Sequence, residues 1–275
     1  RRLTGEDVVC VLIDSVQSQA NRLEEALANA ARDGLIRVPR LVVDFPSVGF
    51  NSPVPEISSL EAPHRVFDAI IRDTSLDGAE FRKSELGKRL VEASIDNAGA
   101  LLEVAPNALL FGAWNSTGEG GGIGAKFARA IVSEIIGVGV PVEERVDRRT
   151  GEVSLTTAGR RTGSRIDPLG ILRSVEIYKT DSEWGTDKTK MGKKAKQVRP
   201  SEINHGNIAP SVEALGVTCD YAEQTAVISL AGLRRLRFGG DVARDEVART
   251  YLASLGLVAL LEGDRQGHAL RSRCD

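Results

Sequence analysis

Aromatic residues make up only 4% of this 275-residue chain. That scarcity excludes a broad base-stacking platform of the kind many single-strand binders carry. Cysteine is equally thin. Cys10, Cys219 and Cys274 are odd in number and far apart, with no CxxC or Cys/His spacing for zinc and no disulfide framework of a secreted domain. No run of about twenty apolar residues is present, so no membrane span is expected. No signal peptide is visible, and the chain opens on Arg1 rather than on methionine. It reads as a cytoplasmic protein and as part of something longer. A positive excess is also missing. The net charge is −2 and the pI about 6.1, whereas a dedicated duplex-DNA binder carries a basic domain. Any nucleic-acid contact must come from a local stripe.

What is present is the composition of a globular protein, with 41% hydrophobic and 27% charged residues and enough length for one large domain or two ordinary ones. The positive charge is concentrated. KTKMGKKAKQVR holds Lys188, Lys190, Lys193, Lys194, Lys196 and Arg199 with no acid among them. A solvated cationic loop poor in apolar residues is expected to stay unpacked until it meets a polyanion.

Along the chain, Val8–Ile13 reads as a buried strand, followed by a helix from Asp14 or Ser15 to about Asp33 with Gly34 as its stop. Ile36–Phe45 is β-rich, and residues Gly49–Pro63 form a proline-rich loop. Helices are expected over His64–Arg72 and Ser84–Glu103. Ala108–Trp114 reads as a second buried strand, then a glycine-rich loop, then a helix over Ala125–Ile136. Val138–Val146 and Val153–Thr157 flank turn residues and predict a hairpin. Strands follow at Ile171–Tyr178 and Val217–Ser229, with a short helix over Leu230–Phe238. There, Leu230, Leu233 and Leu236 are expected in the core, and Arg234, Arg235 and Arg237 at its solvated edge or along a groove. The last helix, Asp241–Leu261, is expected to bury Val242, Val247, Tyr251, Leu255 and Val258. Long loops and a hairpin break strict βαβ order, so the pattern predicts α+β topology of ferredoxin-like type.

Several segments carry chemistry. Gly120, Gly122 and Ala125 fit G-x-G-x-x-A, with Glu143 about twenty residues on. A dinucleotide site is one reading, a plain loop another, and a loop whose amides meet a nucleic-acid backbone a third. The first helix opens with Ser15, Gln17, Ser18, Gln19, Asn21 and Arg22. Its amides and dipole end favour a phosphate, and Arg22 can fork onto one. A capped helix with a polar face explains the same residues. Arg160, Arg161 and Arg165 bracket a turn, and Asn204, His205 and Asn207 form a polar knot better suited to scaffolding than to catalysis. Asp73, Asp77 and Asp167 are loose metal candidates, and no catalytic centre stands out.

The blocks SVQSQANRLE, HRVFDAIIRDTSLDG, LLFGAWNSTGEGGG with KFARAIVSEIIG, GSRIDP, RPSEINHGN and ISLAGLRRLRF, in this order, resemble the backbone subunit of type I-G (formerly I-U) CRISPR Cascade complexes, a branch of the RAMP superfamily. The resemblance runs from about Asp14 to Asp275. It implies a single RRM-like RAMP domain over residues 1–275, a modified ferredoxin-like palm with inserted loops, a β-hairpin thumb and a flexible basic insertion at about 179–200. It also implies a non-catalytic scaffold that polymerises along CRISPR RNA and presents the spacer for pairing with invading DNA, beside other Cascade subunits and without a cofactor. RNA contact then falls on Ser18, Asn21, Arg22, Lys126, Arg129 and Arg165, with Gln19, Arg160, Arg161, Asn204 and His205 as further candidates. Lys190, Lys193, Lys194, Lys196 and Arg199 suit a thumb or a contact to target DNA, and the hairpin through Arg148 competes for the thumb. Some type III relatives cut RNA with a loop aspartate and a metal. A metal-dependent endonuclease using Asp167 or Asp187 is therefore the rival, with a dinucleotide-cofactor enzyme behind it.

Overall fold

The computed structural model describes residues 2–3, 5–45, 54–115, 126–157, 161–163, 176–203, 212–214 and 216–270. It is a mixed α+β chain with small sheets that falls into two compact units. The larger comprises Val11–Gly137 and Tyr221–Asp275, the smaller Arg1–Cys10 and Val138–Asp220.

The larger unit is built on a three-stranded sheet. Ile131–Val138 is its central strand, with Cys10–Asp14 on one side and Tyr221–Ile228 on the other. Backbone bonds from Asp220 N to Val138 O and from Ser229 N to Ala130 O bracket the second pair as antiparallel. Along the central strand Ile131, Ser133 and Ile135 are buried while Val132 and Glu134 are exposed, the period of two that a half-covered strand requires. This corrects the helix expected over Ala125–Ile136. Apolar residues at 131, 132, 135 and 136 satisfy either period over so short a window. The β-branched Ile131, Val132, Ile135 and Ile136 then favour the pleated surface once neighbouring strands are present.

Two long helices cover the inner face. The first, Val16–Arg32, starts where the Ser15 hydroxyl accepts from Ser18 N at 3.3 Å, and Gly34 follows its end at φ +72°. It packs along the last helix, Val242–Gln266. That helix presses onto the sheet at Gly256, where an added Cβ would meet Ile228 Cδ1 at 3.3 Å and Ile131 Cδ1 at 3.6 Å. Its buried stripe is Asp245, Ala248, Leu252, Leu255, Gly256 and Ala259. Val242 and Val247, expected inside, are 72% and 71% exposed. The stripe is set by which face meets the first helix and the sheet, and small residues there allow the close approach. Leu233 and Leu236 enter the core as expected, but Leu230 is 54% exposed.

A layer of short helices completes this core. Ala108–Trp114 is not a strand. Pro106–Phe111 is a helix in which every residue is buried, and only Ala113–Trp114 is extended. Pro106 sits at the first helical position, where its missing N–H costs nothing. An apolar run this short reads the same in either conformation. The helix expected over His64–Arg72 is split into a 3-10 turn, Arg65–Phe67, and a helix, Ala69–Arg72, because Asp68 is extended and caps the second piece through Ile70 N. The one expected over Ser84–Glu103 is likewise two, Glu85–Val91 and Gly99–Val104, separated by the bridge between Ser94 and Asn97. Within the stretch expected as a proline-rich loop, Glu56–Ser58 pairs with Val42–Asp44. Leu27, Leu101, Leu110 and Leu252 are each 0% exposed and Phe111 and Phe238 1%. Burying each such side chain stabilises the fold by roughly 1.5–3 kcal/mol.

The smaller unit carries the expected hairpin, Val142–Val146 paired with Val153–Thr157 in the register Val146↔Val153. Its turn is closed by Asp147 Oδ1, which accepts from Arg149 N at 2.7 Å and Thr150 N at 3.2 Å. A second sheet places Ile177–Lys179 between Trp184–Gly185 and Lys196–Val198. The basic stretch is therefore not loop throughout. Asp187 caps a helical turn over Lys188–Met191, and Lys196–Val198 is a paired strand. Strand pairing and the cover on buried Ile177 and Tyr178 organise a backbone whose cationic side chains remain in water.

Candidate nucleic-acid groove

An open groove of about 660 Å³ lies within the larger unit. Its polar lining is Gln17, His64, Lys126 and Arg129, with Trp114 on the wall and Phe111, Gly112 and Arg65 contributing beneath. Two backbone elements make it. The strands Ala113–Trp114 and Lys126–Phe127 pair antiparallel and set Trp114 opposite Lys126. The Lys126 ammonium lies 5.9 Å from the centre of the indole, and Trp114 is 57% exposed. Gly112 stands at φ +83°, and an added Cβ would meet Phe127 O and Arg129 Cγ at 3.1 Å. The turn into the Trp114 strand therefore needs glycine twice over, for its dihedral and for its space.

Beneath the groove, Arg65 donates to Glu24 Oε1 and Oε2 at 2.7 and 2.6 Å and to the Gly112 carbonyl at 2.9 Å. Asn107 Nδ2 adds 2.8 Å to the same carboxylate. Arg65 adopts φ +55°, a costly conformation for a residue other than glycine, held by this network. The first helix joins the groove through Gln17, whose side-chain oxygen accepts from Arg129.

The candidate residues near the start of that helix divide by burial. Gln19 is 1% exposed. Its Nε2 donates to Asp14 Oδ2 at 2.6 Å, and its Oε1 accepts from Ser133 Oγ at 3.0 Å and Gln224 Nε2 at 3.1 Å. It binds helix to sheet and is spent on protein partners. Arg22 donates through Nε to Asp14 at 3.1 Å and through NH1 to the Ala269 carbonyl at 2.8 Å. It lines a separate hollow of about 180 Å³ with Asn29, Gln266 and His268. Partial burial works to raise the pKa of Asp14, but hydrogen bonds from Ser18 and Gln19 and the Arg22 charge outweigh it and hold the carboxyl below its ordinary value. Ser18 is half-buried and Asn21 exposed.

Lys126 and Arg129 are thus brought together in one groove, while Arg22 lies in another hollow. Lys190, Lys193, Lys194, Lys196 and Arg199 are exposed on the smaller unit, Lys190 3.9 Å from Asp187. Arg161 begins the strand Arg161–Gly163, which pairs with Val212–Ala214. The glycine loop Gly120–Ala125, Arg160, Arg165, Asp167, Asn204, His205 and Asn207 lie outside the described residues. Among the described residues no group of three or more His, Cys, Asp or Glu is placed to hold a metal ion, and no helix is long and apolar enough to cross a membrane.

Sequence reasoning missed Trp114, His64 and Arg65. Trp114 ends an apolar run and reads as core; the one signal for its exposure is the polar Asn-Ser-Thr-Gly that follows at once. A cationic groove with one exposed indole suits a polyanion with flat faces.

Comparison with known proteins agrees in part with the resemblance drawn from the sequence. The chain has no match among curated proteins. A family model described as CRISPR-associated protein GSU0053 matches residues 1–142, a span that contains every residue lining the groove. The match covers just over half of the 275 residues, and the chain belongs to this CRISPR-associated family.

Proposed function

We propose that this protein is the CRISPR RNA-binding backbone subunit of a type I-G Cascade complex, a RAMP protein built on a modified RRM-like palm. It is a cytoplasmic, non-catalytic scaffold. Copies line up along one guide RNA with other Cascade subunits and present the spacer to invading DNA. Membership of a CRISPR-associated family carries the role in CRISPR defence. The observation that carries RNA contact is the groove that gathers Lys126, Arg129, Gln17 and Trp114 on a chain of net charge −2. A local track of this kind binds a sugar-phosphate backbone without an overall basic surface. The three-stranded sheet under two helices supports the palm, and the hairpin Val142–Thr157, whose first strand Val142–Val146 is exposed throughout, supports the thumb. Guide pairing, not side chains, then supplies sequence specificity.

The test is the RNA the protein carries. Protein purified from cells expressing the complex is expected to absorb strongly at 260 nm and to release RNA of uniform length. Protein free of RNA, or RNA of random length, counts against the scaffold. Evenly spaced cuts in complementary RNA with magnesium, abolished by Asp167→Ala or Asp187→Ala, would replace it with the endonuclease.

A further inference from the structure

Trp114 is a large apolar side chain left 57% exposed on the wall of a charged groove, in a chain with few aromatics. A side chain of this size normally buries its ring. Its short strand leaves the core at Gly112 and is tied beneath by Arg65, so the ring stands on a supported edge and not on a free loop. Lys126 stands 5.9 Å from the ring centre, and Arg129, braced by Gln17, stands on the same groove. A flat π surface beside one cation, in a groove that holds a second, complements a flat base and its flanking phosphates.

We infer that Trp114 is a stacking site for one unpaired base of a single nucleic-acid strand, with Lys126 and Arg129 on the phosphates that flank it. This rests on the RNA-binding reading above and adds a contact to the base itself. Stacking tolerates any base, because every base has a π-face. It refuses a duplex, whose bases are already stacked, and it refuses a strand that has no base.

The experiment uses the full chain with Trp184→Phe, which leaves Trp114 as the single indole of the two in the sequence. The protein, stripped of RNA in high salt, is titrated with oligouridine, oligothymidine, an abasic ribose-phosphate oligomer and an RNA duplex. Indole fluorescence reports stacking, and anisotropy of an end-labelled oligomer reports binding independently. Oligouridine is expected to quench, and the abasic strand and the duplex are not. Trp114→Ala is expected to weaken oligouridine binding about 5- to 150-fold, the range of one stacked base, and Trp114→Phe to restore most of it. Quenching by oligothymidine stronger than by oligouridine assigns the site to a DNA strand and keeps the stack, and equal quenching keeps the stack and shows that the 2′-hydroxyl is not read. Binding without quenching, or quenching by the abasic strand, or a Trp114→Ala protein that binds like its parent, overturns the stack and leaves RNA binding standing. No binding by anisotropy overturns both.

Discussion

Arg65 and Glu24 face each other as a two-pronged ion pair, 2.7 and 2.6 Å long, with side chains 9% and 4% exposed. The pair fastens the turn Arg65–Phe67 to the middle of the first helix and, through the Gly112 carbonyl, to the root of the Trp114 strand. It thereby supports the floor of the groove. Removing one partner strands the other as an unpaired buried charge. Glu24→Ala is expected to destabilise the protein by about 3–5 kcal/mol, read as a lowered denaturant midpoint. A loss below about 1 kcal/mol would mean that the two charges are solvated.

Gly112→Ala tests the same floor sterically. At φ +83° and with contacts of 3.1 Å, the new Cβ has neither a permitted dihedral nor room. A cost of roughly 1–3 kcal/mol in stability is expected, together with weaker RNA binding as the Trp114 strand shifts. Unchanged thermal unfolding would show that the turn relaxes freely.

Lys126→Ala and Arg129→Ala should each weaken RNA binding for all sequences alike. Each should also reduce the slope of log K against log salt by about 0.7, the value of one phosphate on a single strand. An identical slope in the variant would take that side chain off the phosphate track. Arg22→Ala is expected to change stability more than slope, because its guanidinium already holds Asp14 and the Ala269 carbonyl.

Acid should loosen the start of the first helix. The folded pKa of Asp14 is depressed, so its contribution is fully present above the unfolded value of about 3.9 and is lost as pH falls through the folded value. Asp14→Asn is expected to be less stable than its parent near neutrality, with a shallower fall in stability below about pH 4. Parallel pH profiles for the two proteins would remove Asp14 from the linkage.

The register of the last helix gives a paired test. Leu252, 0% exposed, is expected to cost about 2–5 kcal/mol on change to Ala. Val247, 71% exposed, is expected to cost less than about 0.5. Equal losses would return the buried stripe to the Val247 side.

The first helix was legible to within a residue or so at each end. Ser15, the polar first turn and Gly34 are local signals, and caps and stops act within a few residues. The hairpin between Val142 and Thr157 was legible for the same reason, because Asp147–Gly151 makes its turn from its own atoms. Trp114 was not. Its exposure depends on a hairpin partner, Lys126, and on a brace, Arg65, about fifty residues upstream of it.

By itself, then, the sequence determined composition, capped ends, the local hairpin and the order of blocks that marks a CRISPR-associated chain. Tertiary structure alone decided that Pro106–Phe111 is helix and Ile131–Val138 strand, that Gln19 turns inward, and that Lys126, Arg129 and Trp114 share a groove. Short apolar runs take either conformation at nearly equal local cost. Distant packing and strand pairing, which no window of sequence contains, supply the difference.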